Sequence, residues 1–159
     1  MTVFKATTVA AIAAVSAAAL AACGGGGSTP VSASELVTKG DELCRVGQQK
    51  FAEIQAQPAT TVSQYADQTG ELADAAQTVL DGLRDLEPPS ELSAQYDAYL
   101  AAYQQGVDLL DKGQAAAEDR DGKTFGKLQK QVEATAAGRQ KLAQAVGFKD
   151  CSATKPSPG

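Results

Sequence analysis

From residue 34 onward, apolar residues recur every three or four positions, which is the spacing of one face of an α-helix. Strands would need strict alternation and clusters of β-branched residues, and the chain has little of either. Pro58, the Pro88–Pro89 pair and a polar turn at 119–122 interrupt the helical pattern. Because proline ends a helix, these breaks divide this part of the chain into four helical segments.

Caps and breaks give approximate bounds for the four segments: 34–56, 60–86, 90–118 and 123–146. Ser34 is expected to begin the first helix, Ser90 to cap the third and Gly147 to end the fourth. Short turns between helices of this length predict an all-α fold, an antiparallel up-down-up-down four-helix bundle over residues 34–151. Each helix has one apolar seam, so none is expected to be stable alone.

The second segment has the most regular seam. Two series repeat every seven residues along it: Val62, Thr69, Ala76, Leu83 and Tyr65, Leu72, Val79, Leu86. This is the a/d pattern of a sustained heptad. It predicts that both series face the core along the whole helix.

Residues 1–22 have the pattern of a signal peptide. Lys5 supplies the positive charge, and residues 6–22 carry no charge and consist mostly of Ala and Val. A transmembrane anchor is the alternative, but this stretch is shorter and less apolar than the ~20 strongly apolar residues that span a bilayer.

The motif LAAC at 20–23 resembles the lipobox of bacterial lipoproteins. The resemblance implies cleavage before Cys23, a diacylglycerol on its sulfur and often an acyl group such as palmitate on the new amino group. More than one acyl chain gives stable anchoring where a single chain is marginal. Residues 23–33 would then be a flexible Gly-rich tether at the extracytoplasmic face of the cell membrane. A secreted protein with a chance cysteine is the alternative.

With Cys23 acylated, Cys44 and Cys151 remain in an oxidising compartment, where a disulfide is expected. The four residues after Gly147 can span about 13 Å, which lets the end of the chain fold back to Cys44. A reactive Cys44 in a redox role is the alternative, although the chain has no CxxC motif. Residues 152–159 are expected to be a disordered tail.

Composition restricts the chemistry. The chain has no histidine, which excludes an imidazole base, a His-ligated metal and a Ser-His or Cys-His pair. Its net charge of −5 argues against nucleic-acid binding. The acidic residues between 108 and 121 lack the spacing of an EF-hand. We therefore expect no enzymatic activity, no cofactor and no metal site.

Three tyrosines form an aromatic stripe on the third helix: Tyr96, Tyr99 and Tyr103. They either pack in the core or line a ligand pocket. Gly47, Ala76 and Gly106 lie at similar depth in the predicted bundle, so its middle layers are short of side-chain volume. The tyrosines fill that space, or a cavity remains there.

Charge is distributed unevenly. Residues 60–121 contain 13 acids and 3 bases, whereas residues 122–159 contain 7 bases and 2 acids. One interpretation is that the fourth helix forms exposed ion pairs with acidic neighbours. The other is that the second and third helices present an acidic face to a cationic partner. Lys123, Lys127 and Lys130 could also contact anionic headgroups.

Beyond the lipobox, the chain resembles small helical lipoproteins of high-GC Gram-positive bacteria. It shares with them Cys44 in the first helix, a Leu-x-x-Leu-x-x-Pro break at 83–89, Glu-Leu-x-x-x-Tyr at 91–96 and a closing Gly147-Phe148-x-x-Cys151. The resemblance carries over no catalytic residue and no activity to this chain. We expect a membrane-anchored, non-enzymatic interaction module whose partner is an envelope protein. The alternative is a binding protein for a small apolar or aromatic ligand held between the helices.

Overall fold

A computed structural model describes residues 30–153. These residues form four α-helices: α1 Ala33–Gln55, α2 Val62–Arg84, α3 Ser93–Glu118 and α4 Gly122–Val146. They contain no strand. Extensive helix contacts join consecutive helices, α1 with α2, α2 with α3, and α3 with α4. The predicted up-down-up-down four-helix bundle is confirmed.

Local capping explains where the helices begin. Ser32, and not Ser34, caps α1: its hydroxyl accepts the Glu35 N–H while the Glu35 carboxylate accepts the Ser32 N–H, which forms a capping box. The prediction that Ser90 caps the third helix was wrong. After the two prolines the chain makes a turn in which the Leu92 N–H donates to the Pro89 carbonyl, so α3 begins three residues later than expected.

The heptad seam of α2 holds over only part of the helix. Val62 and Tyr65, at its beginning, are 50% and 45% exposed. Ala66 and Ala73, which directly follow the predicted core positions Tyr65 and Leu72, are buried instead. Together with Leu80 these alanines form their own seven-residue series, so the buried face of α2 is displaced by one position from the predicted one. The second half of α2 does bury Ala76, Val79 and Leu83, as predicted.

Phe148, just beyond α4, completes the core. Gly147 ends α4 with φ at 102°, in the left-handed region that favours glycine. The N–H of Phe148 then donates to the Ala143 carbonyl and that of Gly147 to the Gln144 carbonyl, the two bonds of a Schellman motif. The motif turns the Phe148 ring into the core, where it is 2% exposed and contacts Tyr96 and Tyr99 edge to face.

The segment after α4 is fastened to α1. Cys44 and Cys151 form the expected disulfide, with an S–S distance of 2.03 Å. The Asp41 carboxylate accepts the backbone N–H groups of residues 149, 150 and 151 at 2.9–3.3 Å. Two turns after Asp41 along α1, Gln48 donates to the Asp150 carbonyl at 2.6 Å. This segment therefore closes the seam between α1 and α4 as far as Gln48.

The bundle begins at Val31, whose N–H donates to the Glu87 carbonyl at 2.9 Å. The predicted signal peptide at 1–22, the lipid-attachment residue Cys23, most of the tether and the end of the tail lie outside the described residues. Within residues 30–153, no helix is long and apolar enough to cross a membrane.

Candidate functional site

The three tyrosines of α3 are all buried, but their surroundings differ. The Tyr96 hydroxyl donates to the Leu83 carbonyl, and the Tyr99 hydroxyl lies 3.5 Å from the Cys44 sulfur. Both rings pack against Phe148. Tyr96 and Tyr99 therefore belong to the core. Tyr103 lines an opening at the middle of the bundle, whereas Tyr96 borders a separate surface pocket beside the loop after α2.

That opening is a cavity of about 220 Å³, and each of the four helices contributes to it. Its wall includes residues from every helix: Phe51, Gln55, Leu72, Ala76, Tyr103, Gly106, Val107, Leu110, Val132 and Arg139. Ala76 and Gly106 are two of the three small residues for which the sequence predicted missing volume. The third, Gly47, instead packs against Val79. A cavity does remain at the middle of the bundle.

Arg139 is the charged group of this cavity. It is half-buried, and its guanidinium carbon lies 5.2 Å from the centre of the Tyr103 ring. A Cβ atom at Gly106 would lie 2.7 Å from Arg139 Nη1, so the absent side chain at 106 makes room for the guanidinium. The arrangement is a cation–π contact at the edge of an apolar space. The sequence did not reveal it, because Arg139 and Tyr103 lie on different helices.

Burial changes the pKa of all three tyrosine hydroxyls of α3. It raises the pKa of Tyr96 and of Tyr99 well above the ordinary value, and it raises the pKa of Tyr103 to about 12, although Arg139 acts in the opposite direction. The Tyr103 hydroxyl is therefore protonated at neutral pH. It can donate a hydrogen bond, but it cannot serve as a base at that pH.

A second opening is a shallow groove between α1 and α2, with a volume of about 660 Å³. Leu43, Val46 and Val79 form part of its floor, and Val46 is 51% exposed. Charged residues surround this floor: Glu42, Lys50, Glu71 and Asp74. We refer to this surface as the α1–α2 groove. The sequence did not indicate it, because Val46 lies off the apolar line of its helix.

The expected ion pairs between α4 and acidic neighbours are not found among residues 30–153. The ion pairs in this part of the chain join residues of one helix: Arg45–Glu42, Lys50–Glu53 and Arg84–Asp81. Lys123, Lys127 and Lys130 are exposed at the beginning of α4. No ion pair thus joins α4 to α3 in this part of the chain.

The acidic residues and Cys44, which the sequence offered as candidates for metal binding or redox chemistry, have structural positions. No group of three or more His, Cys, Asp or Glu side chains in residues 30–153 could hold a metal ion. Asp121, from the acidic stretch, caps α4 by accepting the Thr124 hydroxyl and N–H, and these hydrogen bonds lower the pKa of its carboxyl. Cys44 is in the disulfide and is not a free thiol.

Comparison of the chain with protein-family models, with curated proteins and with solved structures gives no match in any of the three cases.

Proposed function

We propose that the chain is a lipoprotein anchored through Cys23 to the extracytoplasmic face of the cell membrane, where it acts as a non-enzymatic interaction module. The observation that supports the anchor is the pairing of Cys44 with Cys151. A stable disulfide requires an oxidising compartment, and a signal peptide leads to one. The pairing also uses both other cysteines, which leaves Cys23 of the LAAC motif as the third.

The geometry of the bundle suits such an anchor. Val31, at the end of the tether, is held against the loop between α2 and α3, and Gly147 at the end of α4 lies beside Val37 of α1. Both chain ends therefore leave the bundle at the same end. The turns at 56–61 and 119–121 lie at the opposite end, which would face away from the membrane.

The interaction role rests on the α1–α2 groove. Val46 exposes the apolar floor of this groove to solvent, and an exposed apolar patch with a polar rim is typical of an interaction surface. Acidic groups outnumber Lys50 around the floor, and α2 and α3 are strongly acidic. We assign the groove to a basic amphipathic helix of an envelope protein, whose apolar face would cover Val46 and whose cations would meet Glu71 and Asp74.

Replacement of Cys23 by Ser tests the anchor. The intact mass of the membrane-extracted protein should include acyl chains on the wild-type chain, and the C23S variant should lose them and leave the membrane fraction. An unmodified Cys23 in the mature membrane-bound protein would refute the anchor.

A photo-crosslinking residue at position 46 tests the groove, with position 62 as the matched control. Both sites are valines that are about half exposed, but only Val46 lies in the groove. Cross-links in intact cells should join position 46 to a Lys- or Arg-bearing amphipathic segment, and Val46→Glu should abolish binding of that segment as a peptide. Equal cross-linking from both positions would contradict the assignment.

A second candidate function is the binding of a small apolar or aromatic ligand between the helices. One specific observation favours it, the cavity of about 220 Å³ that Tyr103 lines. Tyr96 and Tyr99 do not support it, since both are packed in the core.

A further inference from the structure

The position of the cavity follows from how the bundle is closed. The segment after α4 fills the seam between α1 and α4 as far as Gln48. The lining of the cavity begins at Phe51, one turn further along α1, and includes Val132 and Arg139 of α4. Most contacts within the bundle join consecutive helices, so α1 and α4 pack against each other only sparsely. The cavity therefore lies beyond the stretch of α1 that the segment covers, among residues of all four helices.

The wall of the cavity is mostly apolar, because Leu72, Val107, Leu110 and Val132 contribute to it. Its volume is about 220 Å³. An apolar protein cavity of about 150 Å³ is large enough to bind benzene. The space therefore suits a body of one or two rings, or a short branched chain of similar size.

Arg139 lacks the acidic partners that Arg45 and Arg84 have. Arg45 and Arg84 each pair with an acid three residues earlier on the same helix. The residues three and four positions from Arg139 are Thr135, Ala136, Leu142 and Ala143, none of which is charged. Within residues 30–153, no ion pair and no hydrogen bond satisfies its guanidinium.

The Tyr103 hydroxyl is a second unused donor. It makes no hydrogen bond among the described residues, whereas the hydroxyls of Tyr96 and Tyr99 each have a neighbour. Arg139 and Tyr103 thus add two donors to the amide of Gln55 at a mostly apolar cavity, and Arg139 carries a positive charge. A guanidinium in a partly desolvated place is complemented best by a planar anion, which can accept two parallel hydrogen bonds.

We propose that this cavity binds an amphipathic monoanion, an aromatic carboxylate in its simplest form, with the ring between the helices and the carboxylate on Arg139. The proposal rests on the second candidate function and adds the chemical class of the ligand. The charge of α4 supports it, because this helix has a single acid, Glu133, and its bases are not paired with α3.

Two probes of equal shape test the proposal: 2-naphthoate and the uncharged naphthalene-2-carboxamide. Calorimetric titration of the full chain, extracted from membranes into micelles, should show the anion binding at least about tenfold more tightly than the amide. This is the minimum expected for one charge-assisted hydrogen bond. The neutral amide partitions into micelles more strongly than the anion, so the heat and free concentration of each probe are corrected by titration into protein-free micelles.

Arg139→Met should bring the affinity for 2-naphthoate down to that for the amide and leave the amide unchanged. Lys141→Met is the matched control, since Lys141 is exposed on the same helix and the charge change is identical; it should keep the tenfold preference. Gly106→Ala is a second variant that favours helix formation while its Cβ displaces the guanidinium, so it should also reduce the preference.

Equal binding of both probes by the wild-type chain, unaffected by Arg139→Met, would overturn the anionic class and leave the ligand cavity in place. Binding of neither probe would overturn both the anionic class and the second candidate function. The same loss of preference in Lys141→Met would show a long-range effect of helix charge and would overturn the role of Arg139.

Discussion

At the scale of single residues, Asp41 holds the segment after α4 against α1. One carboxylate accepts three backbone N–H groups from a segment more than 100 residues away in sequence. Hydrogen bonds to a charged acceptor are stronger than neutral ones, and the N–H groups would lose their partner without it. Sequence reasoning had no means of finding this contact, because an aspartate on the polar side of a helix has no special signature.

Replacement of Asp41 by Ala should lower the free energy of unfolding by about 1–3 kcal/mol, because it leaves part-buried N–H groups without an acceptor. Urea denaturation followed by circular dichroism measures the change. Asp111→Ala is the control: Asp111 is exposed on α3, so its loss should alter stability by less than about 0.5 kcal/mol. Equal effects of the two substitutions would show that Asp41 does not hold the segment.

The buried tyrosines predict alkaline instability. Burial raises the pKa values of Tyr96 and Tyr99 above the ordinary 10.0, and that of Tyr103 to about 12. Below pH 10 the folded and unfolded chains hold the same tyrosine protons. Between about pH 10 and 12 the unfolded chain binds fewer protons than the folded one, so the free energy of unfolding should fall as pH rises.

Urea titrations at intervals from pH 9 to 12 check this prediction. Tyr103→Phe should make the decline less steep, since it removes one of the raised groups. A free energy of unfolding that stays constant across this range would contradict the assigned burial of the hydroxyls.

At the scale of helices, glycine has opposite roles in α1 and α4. Gly40 is buried against the Phe148 ring, and a Cβ at that position would overlap the ring. Gly126 and Gly138 of α4 have nothing within 4 Å of the same position. The first glycine permits a close approach between segments, whereas the other two weaken a helix without a compensating contact.

Gly138→Ala should therefore raise the free energy of unfolding by roughly 0.8–1 kcal/mol, the difference in helix propensity. Gly40→Ala should lower it, because Phe148 must move out of its place in the core. Thermal and urea unfolding of both variants measure the two changes. Destabilisation by Gly138→Ala would mean that α4 is packed more tightly than this structure shows.

The same scale shows what the sequence could predict. The helices and the seam of α3 were predictable because apolar periodicity and proline breaks are local, and Tyr96, Tyr99 and Val107 do face the core. Phe148 was not assigned to the core, although an apolar residue directly after a C-terminal glycine is the signal of a Schellman motif. The buried face at the start of α2 was predicted wrongly. The packing of neighbouring helices, and not the heptad, leaves Val62 and Tyr65 exposed to solvent.

For the candidate site, the sequence predicted missing volume near Ala76 and Gly106 and a role for Tyr103, but not which tyrosines would line the space. That depended on where Phe148 lies, since its ring takes the place beside Tyr96 and Tyr99. Arg139 was counted only as part of a basic helix. Its position above Tyr103 depends on the packing of α4 against α3, which no local pattern encodes.

At the scale of the whole molecule, the disulfide joins positions that are 107 residues apart. Closing a loop of this size should stabilise the fold by about 4–5 kcal/mol in the chain-entropy model. A bundle whose helices contain many glycines depends on that contribution more than an alanine-rich bundle would.

The double substitution Cys44→Ala and Cys151→Ala should lower the free energy of unfolding by that amount, which is a large part of the total for a domain of this size. Chemical denaturation of the double variant beside the oxidised wild type measures it. Reductant should destabilise the wild type similarly and leave the double variant unaffected. A reductant effect on the double variant would show that the measured loss does not come from this bond.

The disulfide also makes the bundle a covalent ring from Cys44 to Cys151, and all three interhelical turns lie inside it. A protease that cuts one of these turns would open the ring without releasing a fragment, because the two pieces stay joined through sulfur. The cut protein would migrate as a single chain until it is reduced. On a surface exposed to foreign proteases, a module built in this way would stay in one piece after its first cleavage.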